Sequence, residues 1–248
     1  MKIFVEKNKD GLGEASGKLA AKFIKNAILK NGVANIILAT GNSQIGTLKQ
    51  LVKEDIEWNK VVMFHLDEYV GLPESHPSSF RRFLKRRFLE KVPSLKTSYL
   101  INGEKDALIE CNRLNNIIEN YPIDVALVGI GENGHLAFND PPADFATYQP
   151  YILVSLNKAC KQQQVSEGWF RSIDEVPARA ISMSCNQILK SQYIICAVPD
   201  SRKAIAVKYC TENPVSNMFP ASILQLHSDC SVFLDKFSSS LLDFKNRT

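Results

Sequence analysis

The stretch Val125-Ala-Leu-Val-Gly-Ile-Gly-Glu-Asn-Gly134 joins an unbroken apolar run to a glycine-rich loop. A strand that is apolar at every position must be buried on both faces, which is typical of a parallel sheet covered by helices. Glycines directly after such a run indicate a sharp turn of the backbone. The stretch therefore predicts a buried parallel strand, followed by a loop at the carboxyl edge of the sheet, where such sheets bind their ligands.

The glycines of this loop match the pattern G-x-G-x-x-G, which is found in dinucleotide-binding turns. A dinucleotide turn opens a long helix, and an acidic residue follows about 20 residues later. Here Pro141 and Pro142 follow closely, and Pro150 stands where the acid would be sought. Because prolines lack the backbone N–H that a helix needs, no long helix can follow. We interpret the loop as a turn that presents His135, not as a dinucleotide site.

Seven further runs have the apolar or alternating pattern of strands, and segments of helical character lie between them. The additional strand candidates begin at Lys2, Asn35, Val61, Tyr151, Ala178, Tyr193 and Cys230, and the helical segments lie near residues 13–31, 44–53, 78–91, 105–120 and 200–211. The alternation predicts an α/β fold, a three-layer sandwich with a mostly parallel, Rossmann-like sheet between helices. No repeat or low-complexity linker divides the chain, so residues 1–248 are expected to form a single domain.

The composition argues against several classes of protein. The 30 basic and 26 acidic residues nearly balance, and the densest basic run, Arg81 to Arg87, interleaves with apolar residues as a solvated helix face does, unlike a nucleic-acid patch. No run has the length and apolarity of a signal peptide or membrane span, so we expect a cytoplasmic protein. The six cysteines show no metal-binding spacing and are expected to be reduced and buried, with no metal site.

Small polar residues follow the second predicted strand. Thr40, Gly41, Asn42 and Ser43 stand where the chain turns into a helix, whose free N–H groups and dipole attract an anion. These residues either hold a phosphate group, or Ser43 simply caps the helix with nothing bound. A cationic residue, Lys203, stands at the start of a later helix, where the helix dipole disfavours a positive charge unless an anion binds beside it. Together these features suggest a phosphorylated small molecule as ligand.

Acidic and imidazole side chains follow two other predicted strands. Asp67 comes directly after the apolar run VVMFHL, where loss of solvation can raise its pKa until it accepts a proton near neutral pH. The alternative is that Asp67 or Glu68 caps the following turn. His135 stands in the glycine-rich loop with Asn133 and Asp140, and partners of this kind fix the tautomer of a catalytic histidine.

Four segments give the sequence a resemblance to a known family. ATGNS near residue 40, DEYVGLPESHPSSF from Asp67, GIGENGHLAFNDPP from Gly129 and SRKAIA from Ser201 resemble the glucosamine-6-phosphate deaminase (isomerase) family, within the group that includes 6-phosphogluconolactonases. The resemblance covers nearly the whole chain. It implies an enzyme of amino-sugar and N-acetylglucosamine catabolism that converts glucosamine 6-phosphate to fructose 6-phosphate and ammonia, without a metal or an organic cofactor.

The resemblance also implies roles for single residues. Asp67 would move a proton from C2 to C1 of the sugar, and His135, assisted by Asn133 and Asp140, would promote ring opening. The implied phosphate ligands are Thr40, Gly41, Asn42, Ser43 and Lys203. Many members have Asp at the position of Asn133 and Glu at that of Asp140, which could alter rate or substrate choice. Where the family often supplies an arginine to the phosphate, Lys161 is the expected substitute.

Several alternatives stay open at the level of sequence. A 6-phosphogluconolactonase would use a histidine-activated water on the same scaffold and would need no C2 base, but members of that group typically read DER in place of DEYVG. A sugar-phosphate sensor of a transcription regulator would require a DNA-binding module, and the first predicted strand begins at Lys2 with no helix-turn-helix ahead of it. A non-catalytic binding protein stays open if Asn133 has cost the chain its activity. Galactosamine 6-phosphate is not distinguished from its C4 epimer, and a homo-oligomer is neither required nor excluded.

Overall fold

Ten strands form two sheets in the computed structural model, which describes residues 1–243. The strands are β1 (Lys2–Glu6), β2 (Ala34–Leu38), β3 (Val61–His65), β4 (Asp67–Tyr69), β5 (Thr97–Tyr99), β6 (Val125–Val128), β7 (Tyr151–Ser155), β8 (Arg179–Met183), β9 (Tyr193–Val198) and β10 (Cys230–Asp235). The larger sheet has the order β1-β10-β9-β6-β2-β3-β5, and all its neighbouring strands are parallel. The predicted α/β fold with a parallel sheet is confirmed.

The smaller sheet has three antiparallel strands in the order β4-β8-β7. Two strands predicted by their apolar pattern, β7 and β8, belong to this sheet and not to the parallel one. β4 follows β3 after a single residue, Leu66, and its first residue, Asp67, pairs with Ser182 of β8. Asp67 was expected in a loop, but it lies in a strand because the chain crosses directly from one sheet to the other.

Seven α-helices are present within residues 1–243. They are α1 (Lys9–Asn31), α2 (Ile45–Leu51), α3 (Phe80–Arg87), α4 (Ala107–Ile118), α5 (Lys158–Ser166), α6 (Cys185–Leu189) and α7 (Ala204–Glu212). Local capping explains several of their ends: the side chains of Asn8 and Asp106 accept N–H bonds at the starts of α1 and α4, and Gly32 ends α1 in the left-handed conformation. The predicted helical segments are confirmed, whereas α5 and α6 had not been predicted.

Alternate residues of the central strands pack on opposite faces of the parallel sheet. Ile37 of β2 lies in the cluster that contains α4, α6 and α7, whereas its neighbours Ile36 and Leu38 lie in the cluster that contains α1, α2 and α3. Because successive side chains of a strand point to opposite faces, a strand buried on both faces must be apolar throughout. The sheet is therefore the middle layer between two layers of helices, as predicted.

The basic run forms α3, whose apolar residues Phe80, Phe83 and Leu84 are buried as the amphipathic pattern predicts. Arg81 departs from the expectation of a solvated face, because it is only 5% exposed. Its guanidinium group donates to the backbone carbonyl of Leu72 and to two side-chain acceptors on the loop before α4. Buried hydrogen bonds hold this arginine within the fold.

All six cysteines are free and buried, as predicted. They pack as small apolar side chains, and burial raises the pKa of each thiol above its usual range. No helix within residues 1–243 has the combined length and apolarity needed to cross a membrane.

Candidate active site

A cleft lies beyond the carboxyl ends of β9, β6, β2 and β3, which are consecutive neighbours in the sheet. The loop after each of these strands contributes residues to its lining, as expected for a parallel α/β sheet. Seven of the predicted site residues line the cleft: Thr40, Gly41, Asn42, Ser43, Asp67, His135 and Lys203. The other two, Asn133 and Asp140, lie behind His135 and contact its ring.

Asp67 presents a buried carboxyl group to this cleft, and the residue is only 6% exposed. Its backbone is held in β4, and its carboxylate accepts no hydrogen bond from any residue within 1–243. Burial, and then the neighbouring charge of Glu68, raise the pKa of Asp67 to about 8. A carboxyl group in this environment exchanges a proton near neutral pH, which the chemistry of a general base requires.

Glu68 supplies acceptors at the start of the following helix, α3, whose N-cap residue is Ser79. Its carboxylate accepts hydrogen bonds from the hydroxyl of Ser79 at 2.9 Å and from the N–H groups of Phe80 and Arg81 at 3.1 and 2.8 Å. These bonds satisfy the start of α3, where free N–H groups need acceptors. Of the two acids that the sequence offered for a local structural role, Glu68 therefore holds the start of α3, and Asp67 faces the cleft.

The side chain of Asn133 connects His135 to Asp140 and orients the imidazole ring. Nδ1 of the ring lies 2.7 Å from Oδ1 of Asn133, and Nδ2 of Asn133 donates to Oδ1 of Asp140 at 3.1 Å. Because an amide oxygen can only accept, Nδ1 must carry the hydrogen, which leaves Nε2 of the neutral ring as a proton acceptor. Nδ1 also lies 3.5 Å from Oδ1 of Asp140, so the carboxylate supports the ring once it is protonated.

Asp140 stays ionised behind this ring. Burial raises its pKa, but the hydrogen bonding and charge of His135, with donors from Asn133 and the N–H of Asn157, outweigh burial and leave the pKa below its usual value. The thiol of Cys160 lies against the same carboxylate, and its pKa is raised, first by burial and then by the charge of Asp140. His135, Asp140 and Cys160 bring potential metal-ligand atoms within 4.8 Å of one another. Because the thiol keeps its proton, we interpret Cys160 as a further donor to Asp140.

The glycine-rich loop after β6 makes room for the imidazole ring. A Cβ atom at Gly131 would lie 2.2 Å from Cε1 of His135, so any other residue there would displace the ring. The N–H of Gly131 also donates to the carbonyl of His135 at 2.9 Å, which closes the loop on itself. No helix follows before residue 158, in agreement with the interpretation of the prolines.

The loop after β2 offers backbone donors to an anion. Gly41 is in the left-handed conformation, with φ of 88°, and the N–H groups of Asn42 and Ser43 meet no acceptor within residues 1–243. Ser43 does not cap α2: the residue before the helix is Gln44, whose side chain donates to the hydroxyl of Ser43 and to the carbonyl of Val128. The hydroxyl-rich loop is thus tied to the end of β6 and keeps unpaired N–H groups.

Both cations after β9 are paired with acids. Nζ of Lys203 lies 3.2 Å from Oε1 of Glu167, and both side chains are buried. Arg202 is more exposed and pairs with Asp200 at 2.9 Å and with Glu132 at 3.5 Å. Lys161, the expected substitute for a family arginine, is not among the residues that line the cleft.

Sequence reasoning missed the wall of the cleft that α5 and the residues after it supply. This wall consists of Gln163, Gln164, Glu167 and Trp169. The segment is polar and carries no motif, and Gln164 reaches the site through a hydrogen bond from the hydroxyl of Tyr69, 95 residues away in sequence. Because the sequence did not predict α5, it also gave no sign that Glu167 stands at the C-terminal end of a helix, where the dipole disfavours a carboxylate.

The fold and the cleft define an α/β protein that combines a buried acid, an oriented histidine and an anion-binding loop at the carboxyl edge of its sheet. The family model described as "Glucosamine-6-phosphate isomerases/6-phosphogluconolactonase" matches residues 7–233. The chain belongs to this family.

Relatives and solved structures support the assignment. The glucosamine-6-phosphate deaminase of Lactobacillus delbrueckii subsp. bulgaricus is 36% identical over 245 residues, which cover 98% of this chain and 100% of that protein. The solved structure of a monomeric glucosamine-6-phosphate deaminase is 31% identical, with a TM-score of 0.88 over 98% of this chain and 100% of that one. A 6-phosphogluconolactonase from Trypanosoma brucei, at 15% identity and a TM-score of 0.81 over 98% of both chains, shares the fold.

Proposed function

We propose that this protein is a glucosamine-6-phosphate deaminase, which converts glucosamine 6-phosphate and water to fructose 6-phosphate and ammonia. The observation that carries the proposal is the pair of Asp67 and His135 in one cleft, where the carboxylate of Asp67 accepts no hydrogen bond from residues 1–243 and the histidine is oriented by Asn133 and Asp140. The curated deaminases that match along almost the full chain support it.

Ring opening is the first step, and we assign it to His135. Nε2 accepts the proton of the anomeric hydroxyl and returns it to the ring oxygen, so that an aldehyde forms at C1. The imidazolium formed in between is supported by the oxygens of Asn133 and Asp140. The aldehyde then makes the proton at C2 acidic, because the carbonyl delocalises the electron pair that remains.

Isomerisation and deamination come next, and we assign the proton transfer to Asp67. Its carboxylate removes the proton from C2, and the resulting enolamine is protonated at C1. The imine at C2 then adds water and releases ammonia, which leaves the ketone of fructose 6-phosphate. A cationic amino group beside Asp67 favours the ionised carboxylate, which offsets the effect of burial on its pKa. Positioned acids and bases are sufficient for every step.

The phosphate group belongs in the part of the cleft formed by the loop after β2 and by Lys203. We assign it to the hydroxyls of Thr40 and Ser43, the free N–H groups of Asn42 and Ser43, and the ammonium of Lys203. Backbone donors and a buried cation together match a dianion. This placement puts the sugar carbons between the phosphate loop and the acid–base pair.

An assay with three substrates tests the proposal. Purified protein is given glucosamine 6-phosphate, galactosamine 6-phosphate and 6-phosphogluconolactone, and the release of ammonia and the hydrolysis of the lactone are followed separately. We expect ammonia from an amino-sugar phosphate and no catalysed lactone hydrolysis, because a lactonase has no use for an acid at C2. Lactone hydrolysis without ammonia release would contradict the proposal.

A further inference from the structure

Glu167 stands in the part of the cleft that we assign to the phosphate. Its carboxylate accepts hydrogen bonds from Nζ of Lys203 at 3.2 Å, from Nε2 of Gln163 at 2.8 Å and from Nε1 of Trp169 at 3.3 Å. Its backbone carbonyl accepts a bond from Nδ2 of Asn42 in the phosphate loop at 3.4 Å. This one residue thus contacts both the cation and the loop that would bind the substrate anion.

Neither member of this ion pair is placed where its own helix favours it. Glu167 follows the last residue of α5, where the negative end of the dipole repels a carboxylate. Lys203 precedes the first residue of α7, where the positive end of the dipole repels a cation. The side chains are 8% and 7% exposed, so both charges have also lost most of their solvation. The pair therefore depends on its own contacts, since Lys203, Gln163 and Trp169 outweigh burial and leave the pKa of Glu167 below its usual value. An anion-binding position next to Lys203 accounts for a carboxylate at this place.

We propose that Glu167 is an internal substitute for the substrate phosphate: it occupies Lys203 in the unliganded protein, and the phosphate displaces it, so that Glu167 selects phosphorylated sugars against uncharged ones. The inference rests on the phosphate site of the proposed function. A tethered carboxylate yields only to a ligand that binds Lys203 more strongly, and a dianion that also engages the free N–H groups of residues 42 and 43 does so. An uncharged sugar does not displace Glu167 from Lys203.

The displaced carboxylate keeps partners in this scheme. Gln163 and Trp169 continue to donate to it, and the following residue, Gly168, has a φ of 81° that gives the segment a turn directly after Glu167. The nearby acids Glu132 and Asp200 remain occupied by Arg202. Exchange of one anion for another on Lys203 therefore leaves the ion pairs of Arg202 intact, while neutral donors hold the displaced carboxylate.

Binding of inorganic phosphate to the full chain tests the inference. Calorimetric titrations compare the wild type, Glu167→Gln and the control Glu14→Gln, which removes the same charge from an exposed pair with Lys18. Without its internal competitor, Lys203 should bind phosphate more tightly, and we expect the Kd of Glu167→Gln to fall roughly tenfold. The control should bind like the wild type. Equal or weaker binding by Glu167→Gln would overturn the inference, because a purely structural role predicts that result.

A second measurement needs no substitution at this pair. Trp169 donates to the carboxylate of Glu167, whereas the only other tryptophan, Trp58, packs against Phe88 and does not line the cleft. Phosphate should therefore change the tryptophan fluorescence of the wild type at the same concentrations at which it binds, and unchanged emission at saturation would overturn the inference. Neither readout involves turnover, so a chain that exchanges Glu167 for phosphate but releases no ammonia would refute only the proposed activity.

Discussion

Asp67 and Glu68 are adjacent acids with opposite tasks. Glu68 is fully buried and accepts four hydrogen bonds, including one from the N–H of Tyr69, whereas Asp67 accepts none from residues 1–243. Successive residues of a strand point to opposite faces, so β4 directs one carboxylate to the helix and the other to the cleft. Burial raises the pKa of both carboxyl groups, but hydrogen bonds oppose the rise only at Glu68.

The pH dependence of turnover should report Asp67. Only the ionised carboxylate can accept the proton of C2, and its pKa in the unliganded protein is raised to about 8. We expect kcat/KM to fall as the pH drops through about 8, because the neutral acid accumulates below that value. Measurement of kcat/KM for the wild type on glucosamine 6-phosphate as a function of pH checks this expectation. A fall that begins only near pH 4, about the usual pKa of an aspartate, would contradict this role.

Among single residues, the sequence reveals those that come directly after a strand and misses those that reach the cleft by packing. The places of Asp67 and His135 in the cleft were predictable because Asp67 comes directly after one apolar run and His135 lies in the glycine-rich loop after another, and such segments meet at one edge of a parallel sheet. Glu167 was not, because its place in the cleft depends on contact with Lys203, 36 residues away. No local pattern contains that contact, since it is set by how α5 packs on the two sheets.

The start of α3 is held by a buried polar cluster. Ser79 accepts the N–H of Arg82 and donates to Glu68, and it is fully buried. We expect Ser79→Ala to lower the free energy of unfolding by about 1–2 kcal/mol, because it removes a helix cap and one of the donors to a buried carboxylate. Urea denaturation measures the loss, with Ser75→Ala at an exposed position as control. Equal stability of the two variants would show that the cluster does not stabilise α3.

The loop after β6 should tolerate no side chain at its second glycine. In Gly131→Ala the new methyl group overlaps the imidazole of His135, so we expect kcat to fall roughly a hundredfold, with a smaller effect on KM. Steady-state kinetics on glucosamine 6-phosphate measure both constants. Gly32→Ala, at a left-handed glycine outside the cleft, controls for the general cost of replacing a glycine. Full kcat in Gly131→Ala would mean that the position of the ring is unimportant.

For helices and strands, length and apolarity decide how much the sequence reveals. The strands buried on both faces, such as β6, were predicted because every position must be apolar. β4 and β5 have three residues each, too few for a pattern, and α6 has five. α5 is polar along most of its length, and its residues Gln163 and Gln164 line the cleft. The helix therefore lacks the apolar stripe from which an amphipathic helix is predicted.

The whole molecule is organised around one sheet that two apolar clusters share. Neighbouring residues of β2, β3 and β6 belong to different clusters, so both clusters depend on the same strands. If one cluster unfolds and these strands separate, the other cluster loses its packing surface as well. We therefore expect residues 1–243 to unfold as one domain in a single transition. Circular dichroism and tryptophan fluorescence, followed through one urea titration, should give coincident curves. Two separated midpoints would indicate independently folding units.

Asp67 is the proposed base at C2, and the decisive measurement is ammonia release from glucosamine 6-phosphate by Asp67→Asn. The amide fills the same space and cannot take the proton, so we predict a loss of kcat of about 10² to 10⁴-fold, with substrate binding retained in a parallel titration. Asp174→Asn, which removes the same charge from an exposed position, should keep the wild-type rate. Ammonia release by Asp67→Asn at the wild-type rate would contradict the account.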